Sequence, residues 1–386
     1  MKENIISTPK NKNLLSLFAT AVRVVCVLII LLALVGCGKN GTDGKDGKDG
    51  KDGKDGITPT ISISEDGYWV INGEKTDVRA EGKDGKDGTN ADGSSASYNP
   101  QGLQFYPNDD GDYIVAVGNA KYLSKIVIPE TYNGGKVVGI DKEAFYGCSS
   151  LTEIVIPDSV TTIGERAFES CTNLTSVVIG DSVTTIGDWA FFKCSNLTAV
   201  YISDVAKWCT IKFGTPSSNP LSYAKNFYVN NVLATELIIP DGVTAIGNYA
   251  FYNFTSLSSV VIGDSVTTIG DYAFVYCDSL NSVVIGNSVT TIGNYAFSDC
   301  GSLSSVVIGD RVTTIGYGAF AYCDSLTSIV IPDSVTTIGD WAFNNCSSLK
   351  NVYYTGSETE WQAITIDSGN SSLENATIHY NYVPEN

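Results

Sequence analysis

The chain has 386 residues, of which 42 are acidic and 24 basic, giving a formal net charge of −18. Nucleic-acid binding needs a basic face, so this balance argues against it. The single His leaves no room for a His-based catalytic triad, and no Gly-x-Ser-x-Gly or phosphate-binding loop occurs. We therefore expect neither an enzyme nor a nucleic-acid-binding protein.

Residues 1–36 have the layout of an export signal. Basic side chains come first, and thirteen apolar residues follow at 24–36, which suits a signal-peptide core and is short for a membrane span. The segment ends Leu34-Val35-Gly36-Cys37, which matches the bacterial lipobox. We predict cleavage before Cys37 and lipid on its thiol, hence an exported lipoprotein anchored to the cell envelope and exposed at the surface. The alternative is an ordinary membrane anchor in which Cys37 is incidental.

Residues 37–56 form a tether in which every third residue from Gly38 to Gly56 is Gly and the filler is mostly Lys-Asp. Strict Gly-x-y is the collagen pattern, so one hypothesis is a trimeric stalk held by Lys–Asp pairs between chains. Six triplets without Pro are short for a triple helix. The composition therefore favours a flexible, charge-neutral linker.

Two short β segments follow the tether. Residues 57–81 alternate around Asp66-Gly67, which predicts a hairpin in a small β module that serves as a spacer or a docking piece. After a Gly/Ser-rich linker at 82–102, residues 103–122 predict a second hairpin around Asp110-Gly111. Because an uncapped solenoid exposes strand edges and core, we interpret this hairpin as the N-terminal cap of the repeats that follow.

The rest of the chain repeats with a period of 23 residues. An Ala-Phe pair recurs, a Cys follows the Phe by three residues, except where Phe254 takes that place, and a Leu follows by six. The repeated Phe positions are Phe145, Phe168, Phe191, Phe251, Phe274, Phe297, Phe320 and Phe343. A fixed period in the twenties is typical of a solenoid, in which each coil buries its apolar side against its neighbours.

Each unit predicts the same local structure. In one unit, Val283 and Ile285 face the core from a short parallel strand, with Val284 on its other face. The run Val-Thr-Thr-Ile-Gly predicts a second strand. The run Asp-x-Ala-Phe-x-x-Cys is too short for a helix and predicts a helical turn with its Phe pointing inward. The predicted fold class is thus a β-rich solenoid.

The repeat resembles the BspA-like leucine-rich repeats of bacterial surface proteins, whose pattern is L-x-x-[IV]-x-[IL]-P-x-x-[VL]-x-x-I-G-x-x-A-F-x-x-C. One copy matches this pattern at Leu326, Ile329, Ile331, Pro332, Val335, Ile338, Gly339, Ala342, Phe343 and Cys346. The resemblance covers residues 121–382 and implies a leucine-rich-repeat solenoid. It also implies adhesion to proteins of host or neighbouring cells.

Two enlarged coils depart from the period. Residues 203–232 separate regular repeats at 123–202 from those at 233–350, and residues 351–386 carry a related sequence with Trp208 and Trp361 in equivalent places. We predict that 351–386 is the C-terminal cap and that 203–232 is an internal copy of it. Such an insertion implies a bulge in the solenoid, and protrusions of this kind often carry function.

Three columns of equivalent side chains are candidate sites. The Cys column contains no C-x-x-C, and His379 is the only His, so we expect buried, reduced thiols and no metal site. The second column lies in the strand-connecting turns, where we expect bonds to the local backbone rather than calcium binding. It consists of Asp158, Asp181, Asp241, Asp264, Asn287, Asp310 and Asp333.

The third column lies two residues before each Phe and is aromatic, interrupted at Arg166 and Gly318. It is the candidate ligand-binding site, because aligned Tyr and Trp suit recognition of proteins or glycans. The alternative is that the rings only shield the edge of the core. The column consists of Trp189, Tyr249, Tyr272, Tyr295 and Trp341.

These features together predict a surface-anchored binding protein, an adhesin that recognises macromolecules of host or neighbouring cells. The expected partners are extracellular proteins or glycans, and the membrane through the lipid anchor, with no cofactor. The alternatives are an envelope scaffold without a specific ligand and a glycan-capture lipoprotein. An exposed aromatic column would favour binding over a scaffold.

Overall fold

The computed structural model of the chain describes residues 61–63, 68–71, 74–79 and 101–383. The predicted signal segment, Cys37 and the Gly-x-y tether lie outside these residues. Strands β1 (Ile61–Ile63), β2 (Tyr68–Ile71) and β3 (Glu74–Arg79) form an antiparallel sheet in that order. β1 and β2 flank the predicted Asp66-Gly67 turn, and β3 adds a third strand to the predicted hairpin.

Residues 101–383 form a β-solenoid built in two halves. The strands of the first half are β4 (Gln104–Pro107), β5 (Tyr113–Ala116), β6 (Lys125–Val127), β7 (Thr131–Tyr132), β8 (Gly135–Ile140), β9 (Glu153–Val155), β10 (Thr162–Ile163), β11 (Ser176–Val178), β12 (Thr185–Ile186), β13 (Ala199–Ile202), β14 (Lys212–Phe213), β15 (Asn226–Val229) and β16 (Val232–Leu233). One short helix, α1 (Val205–Cys209), and 3-10 turns at Gly118–Tyr122, Pro216–Ser218 and Pro220–Ser222 join them.

The second half continues the same alternation of a longer and a shorter strand. Its strands are β17 (Glu236–Ile238), β18 (Ala245–Ile246), β19 (Ser259–Ile262), β20 (Thr268–Ile269), β21 (Ser282–Ile285), β22 (Thr291–Ile292), β23 (Ser305–Val307), β24 (Thr314–Ile315), β25 (Ser328–Ile331), β26 (Thr337–Ile338), β27 (Asn351–Tyr354), β28 (Thr365–Ile366) and β29 (Thr377–His379). Two helices, α2 (Glu358–Gln362) and α3 (Ser371–Glu374), lie in the last coil.

Each half has two sheets whose strands come from successive coils. In the first half the orders are β14-β12-β10-β8-β5-β4 and β16-β15-β13-β11-β9-β6. In the second they are β17-β19-β21-β23-β25-β27-β29 and β18-β20-β22-β24-β26-β28. Thr268 pairs in parallel with Thr291, one period later. The predicted parallel 23-residue coils are therefore confirmed. At the N-terminal end, the β4–β5 hairpin extends the first of these sheets, because β5 pairs in parallel with β8.

The core is a continuous column of apolar side chains. The repeated Phe rings stack between neighbouring regular coils with centroids 5.1–5.5 Å apart. Val283 and Ile285 belong to the main core cluster, whereas Val284, on the other face of the strand, is buried outside that cluster. Close approach of the coils requires glycine at Gly293, where a Cβ would lie 2.6 Å from the carbonyl carbon of Gly270.

The segment that carries the Phe is a series of turns, so the predicted helical turn is wrong. The residues two before and two after Phe274, Tyr272 and Tyr276, have φ values of 58° and 60°, in the left-handed region that breaks a helix. This geometry aims alternate N–H groups at the next coil. Tyr272 donates to Asn294 O (2.8 Å), Phe274 to Ala296 O (2.8 Å) and Tyr276 to Ser298 O (3.2 Å).

The two halves meet at residues 203–232, where both sheets stop and β16 folds back antiparallel to β15. In regular coils the carbonyl of the Ala before the Phe accepts from the preceding coil, as Ala296 O does. Ala250 has no such neighbour. Instead Trp208 Nε1 donates to Ala250 O (2.7 Å), and Asn219 Nδ2 donates to Tyr249 O (2.7 Å) and Ala250 O (3.1 Å). Side chains thus replace the missing backbone donors.

The C-terminal end solves the opposite problem, because the coil that follows its last repeated Phe is irregular. Asn370, fully buried, accepts from Phe343 N–H at 3.0 Å and donates through Nδ2 to Gly339 O at 3.0 Å. The sheet register pairs His379 with Tyr353 as it pairs Tyr228 with Tyr201. His379, rather than the neighbouring Tyr380 that spacing suggests, therefore occupies the position of Tyr228.

The joint gives a stability prediction. Replacing Asn219 with Ala removes its hydrogen bonds to Tyr249 O and Ala250 O and takes away the acceptor of the buried Leu221 N–H, which bonds Asn219 Oδ1 at 2.9 Å. We expect the free energy of unfolding to fall by about 1–3 kcal/mol in urea denaturation. The matched control is Asn196→Ala, at an exposed Asn whose Nδ2 lies 3.4 Å from Asn173 Oδ1, with an expected change within about 0.5 kcal/mol. Equal effects would contradict the joint's role.

Candidate binding surface

The aromatic column forms a stacked ribbon along the second half. Ring centroids lie 5.2 Å apart for Tyr249 and Tyr272 and 5.0 Å apart for Tyr272 and Tyr295, with ring planes within 20° of parallel. Gly318 does not end the ribbon, because Tyr295 leans over Gly318 and contacts Tyr317 at 5.0 Å, with the ring planes tilted by 59°. Trp341 closes it 5.6 Å beyond Tyr317. The ribbon is therefore continuous over five coils.

Exposure differs along the column. Trp189 and Trp341 are 40% and 48% exposed, whereas Tyr249, Tyr272 and Tyr295 are half-buried. The faces of the inner rings cover one another, so their edges and hydroxyls reach solvent. The inner rings thus both shield the core edge and present a polar rim, and the two Trp offer open aromatic surface.

Trp189 lies in the first half and meets a cation instead of a ring. The Arg166 guanidinium lies 5.1 Å from the Trp189 ring centroid, a cation–π distance. Arg166 also forms ion pairs with Glu169 at 3.3 Å, Glu165 at 3.8 Å and Glu143 at 3.9 Å. The position predicted as an interruption is therefore a charged part of the same column.

Sequence reasoning missed a second group of tyrosines. Tyr276 and Tyr322, two residues after their Phe, are 42% and 46% exposed, and the Tyr252 ring meets Tyr276 edge-on at 5.6 Å. Burial, then Tyr276 and Asp299, raise the pKa of Tyr252 to about 12. A signal was present in the sequence, because the position two residues after each Phe of the second half alternates between Tyr and Asn or Asp. In the structure all of these residues adopt the left-handed conformation.

The column of turn acids forms a ladder between coils. Asp181 N–H donates to Asp158 Oδ1 at 2.9 Å, and Asn287 N–H donates to Asp264 Oδ1 at 2.8 Å. These oxygens therefore bond the equivalent residue of the next coil, not their own turn as predicted. Between residues 101 and 383, no group of three or more His, Cys, Asp and Glu is placed to hold a metal ion.

The Cys column also forms hydrogen bonds between neighbouring coils. Cys300 Sγ donates to Phe274 O at 3.2 Å, and five other thiols make the same contact with the preceding coil. All eight cysteines in the described residues are buried and free of disulfides. Phe254 takes the Cys position next to the irregular coil, where its ring packs on Phe227 at 5.4 Å.

Comparison with known proteins places this fold. The sequence matches the BspA type leucine-rich repeat region in six copies, over residues 118–213 and 222–381. The chain belongs to the BspA-type leucine-rich-repeat family. No curated protein matches this BspA-type chain. None of the described helices has the length and apolar character to cross a membrane.

Solved structures of similar fold come from several bacteria. A Treponema pallidum leucine-rich repeat protein is 24% identical, with 66% of this chain and 91% of that chain covered and a TM-score of 0.37. A leucine-rich cell surface protein of Faecalibacterium prausnitzii is 25% identical, covers 72% and 100%, and has a TM-score of 0.31. The pneumococcal vaccine antigen PcpA is 16% identical, covers 75% and 99%, and has a TM-score of 0.44.

The thiols of this BspA-type solenoid give a reactivity prediction. Burial raises the pKa of Cys194 and of Cys346 to about 12, so the reactive thiolate is scarce at neutral pH. We expect iodoacetamide to leave both unmodified in the native protein and to alkylate both in urea, as measured by peptide mass mapping. Native alkylation comparable to that in urea would contradict the buried-thiol interpretation.

The same pKa shifts predict an alkaline loss of stability. Each folded pKa lies above the ordinary thiol value of 9.0, so the unfolded chain releases these protons first as pH rises. The stabilisation is complete below about pH 8.5 and is lost between there and about pH 12. Urea denaturation from neutral to alkaline pH should show this fall. It should be smaller in Cys346→Ala, measured relative to that variant's own neutral-pH stability.

Proposed function

We propose that this chain is a surface-anchored binding protein, an adhesin that recognises macromolecules of host or neighbouring cells through its aromatic column. The observation that carries the proposal is the exposure of Trp189 and Trp341. Large aromatic side chains are enriched among the residues that dominate protein interfaces. In a solenoid whose other large rings are mostly buried or half-buried, two exposed Trp on one column favour binding over a purely structural role.

The stacking of the column favours a protein partner over a glycan. A sugar packs on the open face of an aromatic ring, whereas Tyr272 is stacked between Tyr249 and Tyr295 and covers one face of each. The accessible parts of these half-buried tyrosines offer polar atoms and rigid contact area, which suit peptide groups. Extracellular proteins are thus the proposed partners, with glycan capture as the second candidate at the two Trp.

The anchoring part of the proposal rests on sequence. Cys37 closes a lipobox after an apolar segment of thirteen residues, and a Gly-x-y tether follows it. Lipid on Cys37 would hold the solenoid at the cell envelope, and the tether would give it reach. Trimerisation through the tether is an alternative form of the same anchor.

The test is binding of the purified full-length protein to a panel of extracellular-matrix proteins and to a glycan array. We expect saturable binding to a protein, and expect the double variant Trp189→Asn, Trp341→Asn to weaken it at least about tenfold, as loss of a hot-spot aromatic does. Asn suits these sites because both Trp have φ values of 55° and 58°. Surface plasmon resonance gives the affinities.

Thermal unfolding serves as the control. Both Trp lie at the solvent edge, so the double variant should keep the wild-type Tm within a few degrees, on the order of 1 kcal/mol of stability. Unchanged binding in the variant would contradict the site. An absence of binding to both panels would favour the scaffold alternative.

A further inference from the structure

We propose that the second half of the solenoid binds an arginine-rich segment of its partner protein. The inference deepens the proposed function and rests on it. The surface concerned is the turn face, defined as the segments from three residues before to three after each repeated Phe: 248–254, 271–277, 294–300, 317–323 and 340–346.

In the first half, cationic side chains of the turn segments contact the aromatic and acidic side chains of the same surface. Each of its three segments carries one cation, and each cation is engaged. Lys142 bonds Glu165 at 3.0 Å, Arg166 lies over Trp189 at 5.1 Å, and Lys193 lies over the Phe192 ring at 5.2 Å. This part of the turn face is therefore self-complementary in charge.

The second half has the same backbone and no such cation. Its five turn segments contain seven Tyr, one Trp and three Asp, and neither Lys, Arg nor His. Residues 226–383 include fourteen acidic and two basic side chains, which lie elsewhere: Arg311 in the turn between β23 and β24, and Lys350 directly before β27. The turn face of the second half is thus aromatic and acidic without an internal counter-charge.

The column two residues after the Phe provides the recognition geometry. Tyr276, Asp299 and Tyr322 occupy it in three consecutive coils, each donating its N–H to the coil that follows. Successive coils are about 4.8 Å apart, so the backbone places Asp299 between Tyr276 and Tyr322, whose side chains are exposed. Asp299 is half-buried and accepts from Ser298 Oγ at 2.6 Å, which fixes its orientation.

A guanidinium matches this arrangement better than any other protein group. It donates in a planar fork to a carboxylate and packs on aromatic faces at the same time. Tyr276 and Tyr322 supply the rings, and Asp299 supplies the charge. Lysine offers a compact, strongly hydrated charge that cannot do both. The neighbouring Asp271 adds to the negative potential that attracts a cationic segment.

The test uses the full-length protein and fluorescent repeat peptides of Arg-Ser, Lys-Ser and citrulline-Ser. Citrulline keeps the shape of Arg without its charge. At about 0.15 M salt, where diffuse attraction is screened over about 8 Å, we expect Arg-Ser to bind about threefold or more tighter than Lys-Ser. Citrulline-Ser should bind at least about tenfold more weakly than Arg-Ser. Fluorescence anisotropy gives the affinities.

A pair of charge variants separates the site from the overall acidity. Asp271→Asn with Asp299→Asn should weaken Arg-Ser binding about tenfold. The control, Asp264→Asn with Asp310→Asn, makes the same change in net charge at the strand-connecting turns, where Asn287 occupies the equivalent position of an intervening coil. It should change binding less than about twofold.

A pair of aromatic variants tests the rings. Tyr276→Asn with Tyr322→Asn introduces the residue that Asn253 and Asn345 hold at this position with φ values of 60° and 53°, so folding is preserved. We expect about tenfold weaker binding. The control is Tyr122→Asn, which removes a 74% exposed ring that already lies under Lys121, and should leave binding unchanged.

Three results with the peptides and the charge variants would overturn the inference. They are absence of Arg-Ser binding, equal binding of Arg-Ser and Lys-Ser, and equal loss in the two charge variants. If an extracellular protein still binds and depends on Trp189 and Trp341, the proposed function stands while this inference falls. Preferential binding of neutral glycans at these rings would also overturn it.

Discussion

The structure depends on one constraint, which is that the backbone of each turn segment must find hydrogen-bond partners in the neighbouring coils. Buried peptide groups without partners are costly. In the segment around Phe274, left-handed residues at Tyr272 and Tyr276 turn three alternate N–H groups toward the next coil. Left-handed conformation costs about 1 kcal/mol or more for such residues. The ladder of bonds that it permits, repeated in each coil, offsets that cost.

The same constraint explains the residues that break the pattern. The turn segment of a regular coil supplies carbonyls to the coil before it and N–H groups to the coil after it. Where a neighbour is irregular or absent, a side chain takes over: Trp208 and Asn219 donate to the carbonyls of the second half, and Asn370 accepts from the last Phe. The thiols belong to the same set, since Cys171 Sγ donates to Phe145 O, a carbonyl that also accepts from Cys148 N–H.

Much of the fold could be predicted because it follows from periodicity. The Ala-Phe pair and the alternation of Val283, Val284 and Ile285 fix the period, the strands and the inward faces. The left-handed turns could not be predicted, because Tyr, Trp, Asn, Asp and Gly all occupy them and no single residue type marks the conformation. The role of Asn219 was equally hidden, since a buried amide is defined by the carbonyls it meets in space.

The candidate site was predicted only in part. The position two residues before each Phe revealed five rings. Tyr317 lies one residue earlier than that position, and it joins the ribbon only because Gly318 leaves room for Tyr295 to lean. Arg166 interrupts the aromatic column in the sequence, but in the structure its guanidinium lies over the Trp189 ring. Such features depend on contacts between coils rather than on spacing. The identity of a ligand depends on a second molecule and is further still from the sequence.

The interruption of both sheets at residues 203–232 has a mechanical consequence. Between regular coils, two strand ladders and the turn ladder share any pull along the solenoid axis. At the joint the strand ladders are absent, and the tension passes through the hydrogen bonds of Trp208, Asn219 and Asn253, the bond from Gly247 N–H to Cys209 O, and the packing around Phe227. Because coils in series carry the same load, tension along the axis would break this weaker joint first. The halves would part there as intact bodies, extending the molecule before any regular coil unravels.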